Sequence, residues 1–251
     1  MIRFFADKSA ISNGKIQLNA EDSAHIRSLR LRPSECFVVC DGEGVDYLCR
    51  LGGNAQCTMH NARSASGSFA EIVDSRPSRG EPTVACSVYI ALAKGDRLDY
   101  AVQKSVELGA FEIIMYPSER CVSLPADISK KAARLQRISL ETAKQCGRGR
   151  VPEITVVDSF EKAVLRATRT DVPLFFYECE ENRRLKEALA GGTALSTFSI
   201  MTGPEGGFEQ IEAEYAESAG MRIATLGSRI LRCETAPIAA LAAIMFHTGN
   251  Y

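Results

Sequence analysis

Met201-Thr-Gly-Pro-Glu-Gly-Gly-Phe208 is the first of two glycine-bearing turns near the end of this 251-residue chain, and Leu226-Gly-Ser-Arg-Ile-Leu-Arg-Cys-Glu-Thr-Ala-Pro237 is the second. Each follows a strand-like apolar run and leads into a helical pattern. In an α/β sheet such turns lie at the carboxyl ends of the strands, where ligands bind. Nucleotide-binding folds usually carry their glycine turn in the first βα unit. Here both fall in the last two units, which sets this chain apart.

Working back from these turns, strand and helix alternate from Thr83 onward. Strands are predicted at Val84–Leu92, Glu112–Tyr116, Ile154–Val157, Val172–Tyr177, Thr197–Met201 and Ile223–Leu226. Helices are predicted at Asp96–Leu108, Ile128–Cys146, Phe160–Thr168, Arg183–Leu189, Gln210–Ala219 and Pro237–His247. Repeated βα units predict a mostly parallel sheet with helices on both faces. Leu98, Ala101, Val102, Ser105 and Leu108 form one helical stripe, and Gly109 supplies a stop. Pro237 suits a first helical turn, and the helix it opens is apolar nearly all round. Such a helix belongs in a core or against a second subunit.

The first part of the chain has a different rhythm. Short strands are predicted at Arg3–Ala6, Lys15–Leu18, Glu35–Cys40, Val45–Leu51, Ala55–Ala62 and Phe69–Val73, with one helical patch at Glu21–Leu31 and a hairpin turn at Asp41-Gly-Glu-Gly44. Ser75-Arg-Pro-Ser-Arg-Gly-Glu-Pro82 reads as a linker between the two periodicities. The fold class is therefore α/β, a small β-rich domain over residues 1–74 followed by an α/β domain over 80–251.

Composition narrows the function. The nine cysteines form no C-x-x-C pair and several sit inside apolar runs, as expected of reduced, buried thiols. His25, His60 and His247 match no metal-ligand spacing, so no metal is expected. Met1-Ile-Arg-Phe-Phe-Ala-Asp7 lacks the apolar core of a signal peptide, and Ile238–Phe246 is too short to span a bilayer. A cytoplasmic protein with no membrane partner is expected.

Net charge is −1, yet charge is unevenly placed. Between Ser129 and Pro152 stand Lys130, Lys131, Arg134, Arg137, Lys144, Arg148 and Arg150 against a single acid, Glu141. Lys130, Arg134, Arg137, Lys144 and Arg148 recur at spacings that keep them on one helical face. A solvated face is the ordinary reading of such a stripe. With one acid nearby and a flexible basic tip at Gly147–Pro152, the charges are expected to lack internal partners and to suit a phosphate backbone. Arg27, Arg30 and Arg32 form a second, smaller cluster.

The turn at 201–208 lacks the Lys-Ser/Thr of a P-loop, and no G-x-G-x-x-G occurs in the first βα unit, which offers only Ala93-Lys-Gly-Asp96. A triphosphate or Rossmann dinucleotide site is disfavoured. Glycines also punctuate ordinary turns. Two such turns carrying Glu205, Arg229, Arg232 and Glu234 suggest more, because glycine lets backbone N–H and C=O groups approach a flat ligand.

Thr202-Gly-Pro-Glu-Gly-Gly-Phe208 with Leu226-Gly-Ser-Arg-Ile-Leu-Arg-Cys-Glu-Thr-Ala236 resembles the cofactor-binding region of the SPOUT class of S-adenosylmethionine-dependent methyltransferases. Within that class it is similar to the RsmE family, which methylates N3 of one uridine in 16S ribosomal RNA. Lys94-Gly-Asp-Arg-Leu-Asp-Tyr-Ala-Val-Gln-Lys-Ser-Val-Glu-Leu-Gly109, Glu119-Arg-Cys121, the block from Glu141 to Glu153 and Arg3-Phe-Phe5 extend the likeness over nearly the whole chain. Ser228 replaces the family's usual proline, Cys233 replaces a threonine, and a tryptophan common in the family is absent.

The resemblance implies a PUA-like β-barrel at the N-terminus and a SPOUT domain with a trefoil knot. It implies S-adenosylmethionine as cofactor, a homodimer, and 16S rRNA or the assembled small ribosomal subunit as partner. It places the cofactor against Thr202, Gly203, Pro204, Glu205, Gly206, Gly207, Leu226, Gly227, Ile230, Leu231, Arg232 and Thr235. Arg232 is the candidate for steadying the uracil carbonyl charge as N3 loses its proton, and Glu205 or Glu234 for the base. Glu234 alternatively caps the last helix. Arg229 binds phosphate or crosses the subunit interface. Two other readings stand beside this one: an RNA-binding or ribosome-assembly protein without catalysis, and a small-molecule enzyme of the Rossmann kind.

Overall fold

The computed structural model describes residues 1–32, 34–52, 68–121, 127–189 and 196–251. They form two compact units, Met1–Glu81 with Ala143–Val151, and Pro82–Thr142 with Pro152–Tyr251.

The first unit holds a six-stranded mixed sheet in the order β1-β4-β5-β6-β3-β2. Its strands are β1 (Arg3–Phe5), β2 (Ile11–Ser12), β3 (Lys15–Gln17), β4 (Phe37–Cys40), β5 (Val45–Leu51) and β6 (Phe69–Pro77). β1 and β4 are parallel, and the other pairs are antiparallel. Helix α1 (Ala20–Leu29) begins where the Asn19 side chain accepts from the Asp22 N–H at 2.7 Å, and it ends at Arg30 in the left-handed region. The core gathers Phe4, Ile16, Leu18, Ile26, Phe37, Val39, Cys49, Leu51 and Ala70. The strand predicted at Ala55–Ala62 lies outside the described residues.

Two local features differ from the sequence reading. Asn13 and Gly14, at φ 49° and 72°, join β2 and β3 in a two-residue hairpin loop. Both central residues of a type I′ turn need positive φ, and Asn-Gly is its strongest signature, so this hairpin was legible and missed. The expected linker begins later than Ser75, because β6 runs on to Pro77 and keeps Ser75, Arg76 and Pro77 in register with Tyr47, Asp46 and Val45.

The second unit holds a six-stranded sheet ordered β12-β10-β11-β7-β8-β9, parallel throughout. Its strands are β7 (Ala85–Ala91), β8 (Glu112–Tyr116), β9 (Glu153–Val156), β10 (Val172–Phe176), β11 (Thr197–Thr202) and β12 (Arg222–Ala224). Between and after them come α2 (Arg97–Glu107), α3 (Ile128–Cys146), α4 (Phe160–Ala167), α5 (Leu185–Ala188), α6 (Gln210–Ser218) and α7 (Thr235–His247). Near-continuous apolar strands are what a sheet covered on both faces requires. Tyr89, Tyr116, Phe175 and Met201 pack with Phe160 and Val164 of α4 in one core layer. α7 packs against β7, β11 and α2. β12 and α5 are shorter than predicted, since the chain leaves the sheet at Thr225 and α5 covers only Leu185–Ala188.

β7, β8 and β9 run outward on one side of the sheet, and β11 lies on the other side of β7. Strand order thus reverses between β7 and β11, the crevice where open α/β sheets bind ligands.

Candidate active site

Three turns leave the carboxyl ends of β7, β11 and β12. In the first, Leu92–Asp96 leads into α2. In the second, Gly203–Glu209 leads into α6. In the third, Thr225–Glu234 leads into α7.

The second turn is fixed by side chains from neighbouring strands. Thr202, fully buried at the end of β11, gives its hydroxyl to the Tyr89 carbonyl at 3.3 Å, and its own carbonyl accepts from the Tyr116 hydroxyl at 2.7 Å. The Gly207 N–H donates to Pro204 O at 3.0 Å and closes the turn. Arg120, beyond β8, donates to Gly206 O at 3.1 Å and to Glu209 Oε1 at 2.7 Å. Glu178, beyond β10, accepts from the Phe208 N–H at 2.8 Å. Gly207 has φ +70°, and a Cβ there would stand 1.8 Å from Glu178 Oε1. The glycine is therefore required twice, by backbone conformation and by the carboxylate beside it. Glu178 and Arg120 were not among the predicted site residues; only Arg120's place in the Glu119-Arg-Cys121 block signalled either of them.

Glu205 points back toward the first turn. Its Oε1 accepts from the Lys94 N–H at 3.0 Å and pairs with the Arg97 guanidinium, while Oε2 is buried with no hydrogen-bond partner among the described residues. Burial pushes the carboxyl up, but N–H donors from Glu205 itself and Lys94 and the Arg97 charge hold it below the usual carboxylate range. A carboxylate held that way is a poor proton acceptor, which argues against Glu205 as the base. Arg97 in turn is pushed up, chiefly by its bond to Glu205.

The third turn is open. Ile230 is 85% exposed and the Arg232 side chain 82%. Among the described residues, and apart from its chain neighbours, no atom lies within 4 Å of where a Gly227 Cβ would be. The N–H groups of Leu226, Ile230 and Leu231 donate to no described group. Glu234 stands at the N-cap of α7 but its side chain makes no capping bond. It lies 4.0 Å from Arg97 Nε and 4.0 Å from Arg232 Nη1, and accepts from Cys233 Sγ at 3.3 Å. Burial, and then that bond, push the Cys233 thiol up to about 12. Thr235 opens α7 and is exposed. Among the described residues no group of three or more His, Cys, Asp or Glu is arranged to hold a metal.

The basic stripe is less bare than its sequence suggests. Lys130 pairs with Asp127, Lys131 and Arg134 with Asp99, and Lys144 with Asp22. The expectation that these charges stay unpaired is overturned, because acids from outside the helix reach them. Arg148, expected as a phosphate ligand, is instead a buried structural cation. Its side chain is 3% exposed and makes two 2.8 Å bonds to Glu81, whose Oε1 also accepts from the Gly149 and Arg150 N–H groups. The basic tip is pinned rather than loose. Arg137, Arg27, Arg30 and Arg32 are exposed and make no ion pair with the described residues.

Residues 80–245 match the model of the RNA methyltransferase domain family. The ribosomal RNA small subunit methyltransferase E of Mesomycoplasma hyopneumoniae is 31% identical over 85% of this chain and 86% of its own. That of Bacillus subtilis is 31% identical over 92% of this chain and 90% of its own. The crystal structure of the Neisseria gonorrhoeae ribosomal RNA small subunit methyltransferase E bound to S-adenosyl methionine superposes with a TM-score of 0.82 at 30% identity, covering 98% of each chain.

Proposed function

The chain belongs to the RNA methyltransferase family, among the ribosomal RNA small subunit methyltransferases E, and on that premise we propose that it transfers a methyl group from S-adenosylmethionine to N3 of one uridine in 16S rRNA. The observation that carries this reading is the convergence of two glycine turns on one crevice, joined through Glu205, Arg97 and Glu234.

The residues present fit the cofactor. Leu226, Ile230 and Leu231 offer backbone N–H groups that have no partner among the described residues, and Gly227 leaves room beside them. Such groups can pair with an adenine edge without a charged side chain. Thr202, Gly203, Pro204, Glu205, Gly206, Gly207, Arg232 and Thr235 complete the cradle. When bound, the cofactor supplies an electrophilic methyl group.

The chain's own task is to align uracil N3 and relieve it of its proton. Orientation alone is worth roughly 7–11 kcal/mol, so no covalent enzyme intermediate is needed. Arg232, exposed at the mouth, is suited to the carbonyl charge that develops as N3 loses its proton. With Glu205 committed to Arg97, Glu234 is the better candidate base. The target base must leave its stack to reach them.

The first unit serves as a PUA-like RNA-binding barrel, with Arg27, Arg30 and Arg32 on phosphates. Lys130, Arg134, Arg137, Lys144 and Arg150 are further phosphate contacts. The final segment is threaded as a trefoil knot, and α7 meets its counterpart in a cytoplasmic homodimer. No helix among the described residues is long and apolar enough to cross a membrane.

The test is calorimetry with S-adenosylmethionine, followed by mass mapping of uridines in 16S rRNA from a strain lacking the gene, before and after treatment with the protein. Binding and a restored methyl on one uridine are expected. A protein that binds rRNA but takes up no cofactor would instead be an RNA-binding assembly factor. Gly206→Trp, which would drive a ring against Arg120, should abolish cofactor uptake and spare RNA affinity.

A further inference from the structure

Arg97 occupies an unusual place. It is the first residue of α2, where the exposed N–H groups and the helix dipole disfavour a cation. Asp96, at the N-cap, makes no side-chain capping bond there. A guanidinium kept at that position must have compensation, and two carboxylates from two different turns provide it. Glu205 from the β11 turn pairs with Nη1, and Glu234 from the β12 turn lies 4.0 Å from Nε. Glu234 is also 4.0 Å from Arg232. The charges alternate along the line Glu205, Arg97, Glu234, Arg232, from the inside of the crevice to its mouth.

We propose that Arg97 is a positioning residue that locks the two glycine turns into one cofactor-binding shape and, through Glu234, holds Arg232 toward the substrate. This role rests on the methyltransferase reading above. Two observations support it. Glu205 Oε2 is buried with no hydrogen-bond partner among the described residues, so the carboxylate depends on its own N–H, the Lys94 N–H and Arg97. Thr225 anchors the start of the β12 turn through its N–H to Arg183 O at 2.8 Å and its hydroxyl to Gly227, while the N–H groups of Ile230 and Leu231 meet no partner within the described chain, so the middle of the turn is held from its Glu234 end.

Removing Arg97 leaves the half-buried Glu205 carboxylate without its cation. Its carboxyl pKa then rises, and protonation loosens the turn. Other titratable groups face it. Cys121 of the β8 turn and Cys233 of the β12 turn are thiols pushed up by burial, so neither ionises in the acidic range. Glu234 and Arg232 complete the surroundings.

The experiment measures the cofactor Kd by calorimetry from ~pH 5 to ~pH 7, below the range in which an α-amino group titrates. It compares wild type, Arg97→Ala, Arg97→Lys and the double variant Arg97→Ala/Glu205→Gln, and determines kcat and KM on unmethylated small subunits. Wild-type Kd should be flat with pH. Arg97→Ala should bind more weakly and tighten as pH rises, with kcat/KM lower on the order of a hundredfold. Glu205→Gln in that background should flatten the pH dependence. Arg97→Lys keeps a cation without the fork, so its Kd should stay flat and its kcat should fall between the other two. If wild type binds and methylates while Arg97→Ala matches it, or loses affinity equally at every pH, the positioning role is overturned. If Arg97→Ala does not fold, a pH-dependent Kd or an unchanged kcat in Arg97→Lys overturns it. If wild type takes up no cofactor, the methyltransferase reading itself fails.

Discussion

At the scale of single residues, the two turns use glycine for different reasons, and substitutions should separate them. A methyl group on Gly207 meets Glu178 Oε1 at 1.8 Å, whereas one on Gly227 meets nothing within 4 Å. Both residues have positive φ, +70° and +108°, so each alanine variant carries backbone strain of about 1–3 kcal/mol. Gly207→Ala adds a collision and displaces the carboxylate that holds the Phe208 N–H. Its cofactor Kd should rise at least tenfold more than that of Gly227→Ala, measured by calorimetry. Glu178→Ala placed with Gly207→Ala should recover the steric part only. Gly207 and its neighbours stand out in the sequence because they are glycines. Glu178 does not, since it sits in an acidic stretch, Glu178-Cys-Glu-Glu181, where nothing local distinguishes the carboxylate that turns inward. Nothing local singles out Arg97 within Lys94–Gly109, because its carboxylate partners lie more than a hundred residues away.

At the scale of elements, helix α3 shows where pattern reading succeeds and where it stops. Its limits, Ile128–Cys146, agree with the sequence because the 3.6-residue period and the glycine after it are local signals. The strands of the second unit were found nearly whole for the same reason, long apolar runs being hard to mistake. Which of the helix's cations are spoken for was not legible. Asp99 reaches Lys131 and Arg134 from α2, and Glu81 reaches Arg148 from the end of the first unit. The stripe therefore divides. Arg148→Ala leaves Glu81, which also accepts from the Gly149 and Arg150 N–H groups, without its cation, so it should cost about 3–5 kcal/mol in urea unfolding without lessening the salt dependence of RNA binding. Arg137→Ala, exposed, should leave stability within about 0.5 kcal/mol and lower the slope of log K against log salt by about 1. A slope unchanged by Arg137→Ala would remove it from the phosphate contacts.

At the scale of the whole molecule, the two units should respond to different variables. In the first unit, Arg3 meets Asp46 in a forked pair at 2.6 and 2.7 Å, with Ser78 on the same carboxylate. Burial pushes the Asp46 carboxyl up, but its bonds to Arg3 and Ser78 outweigh that and hold it below its ordinary range. A depressed carboxyl contributes stability that is complete above its unfolded-state pKa of about 3.9 and is lost as pH falls through the lower folded value. The first unit should thus loosen below ~pH 4, and Asp46→Asn should remove that pH dependence along with part of the stability at neutral pH. In the second unit the relevant variable is the methyl donor, which stabilises by about 2.7 kcal/mol at a hundredfold excess over Kd. Hydrogen exchange read by mass spectrometry resolves the two responses on one sample. Acid incubation followed by a labelling pulse at neutral pH should open peptides of β1 and β5 first. The cofactor should slow exchange at 202–208 and 226–235 and leave β1 and β5 at their unliganded rate. Cofactor protection appearing in β1 and β5 instead would mean that the donor is held by the first unit, and the crevice between β7 and β11 would lose its claim to be the site.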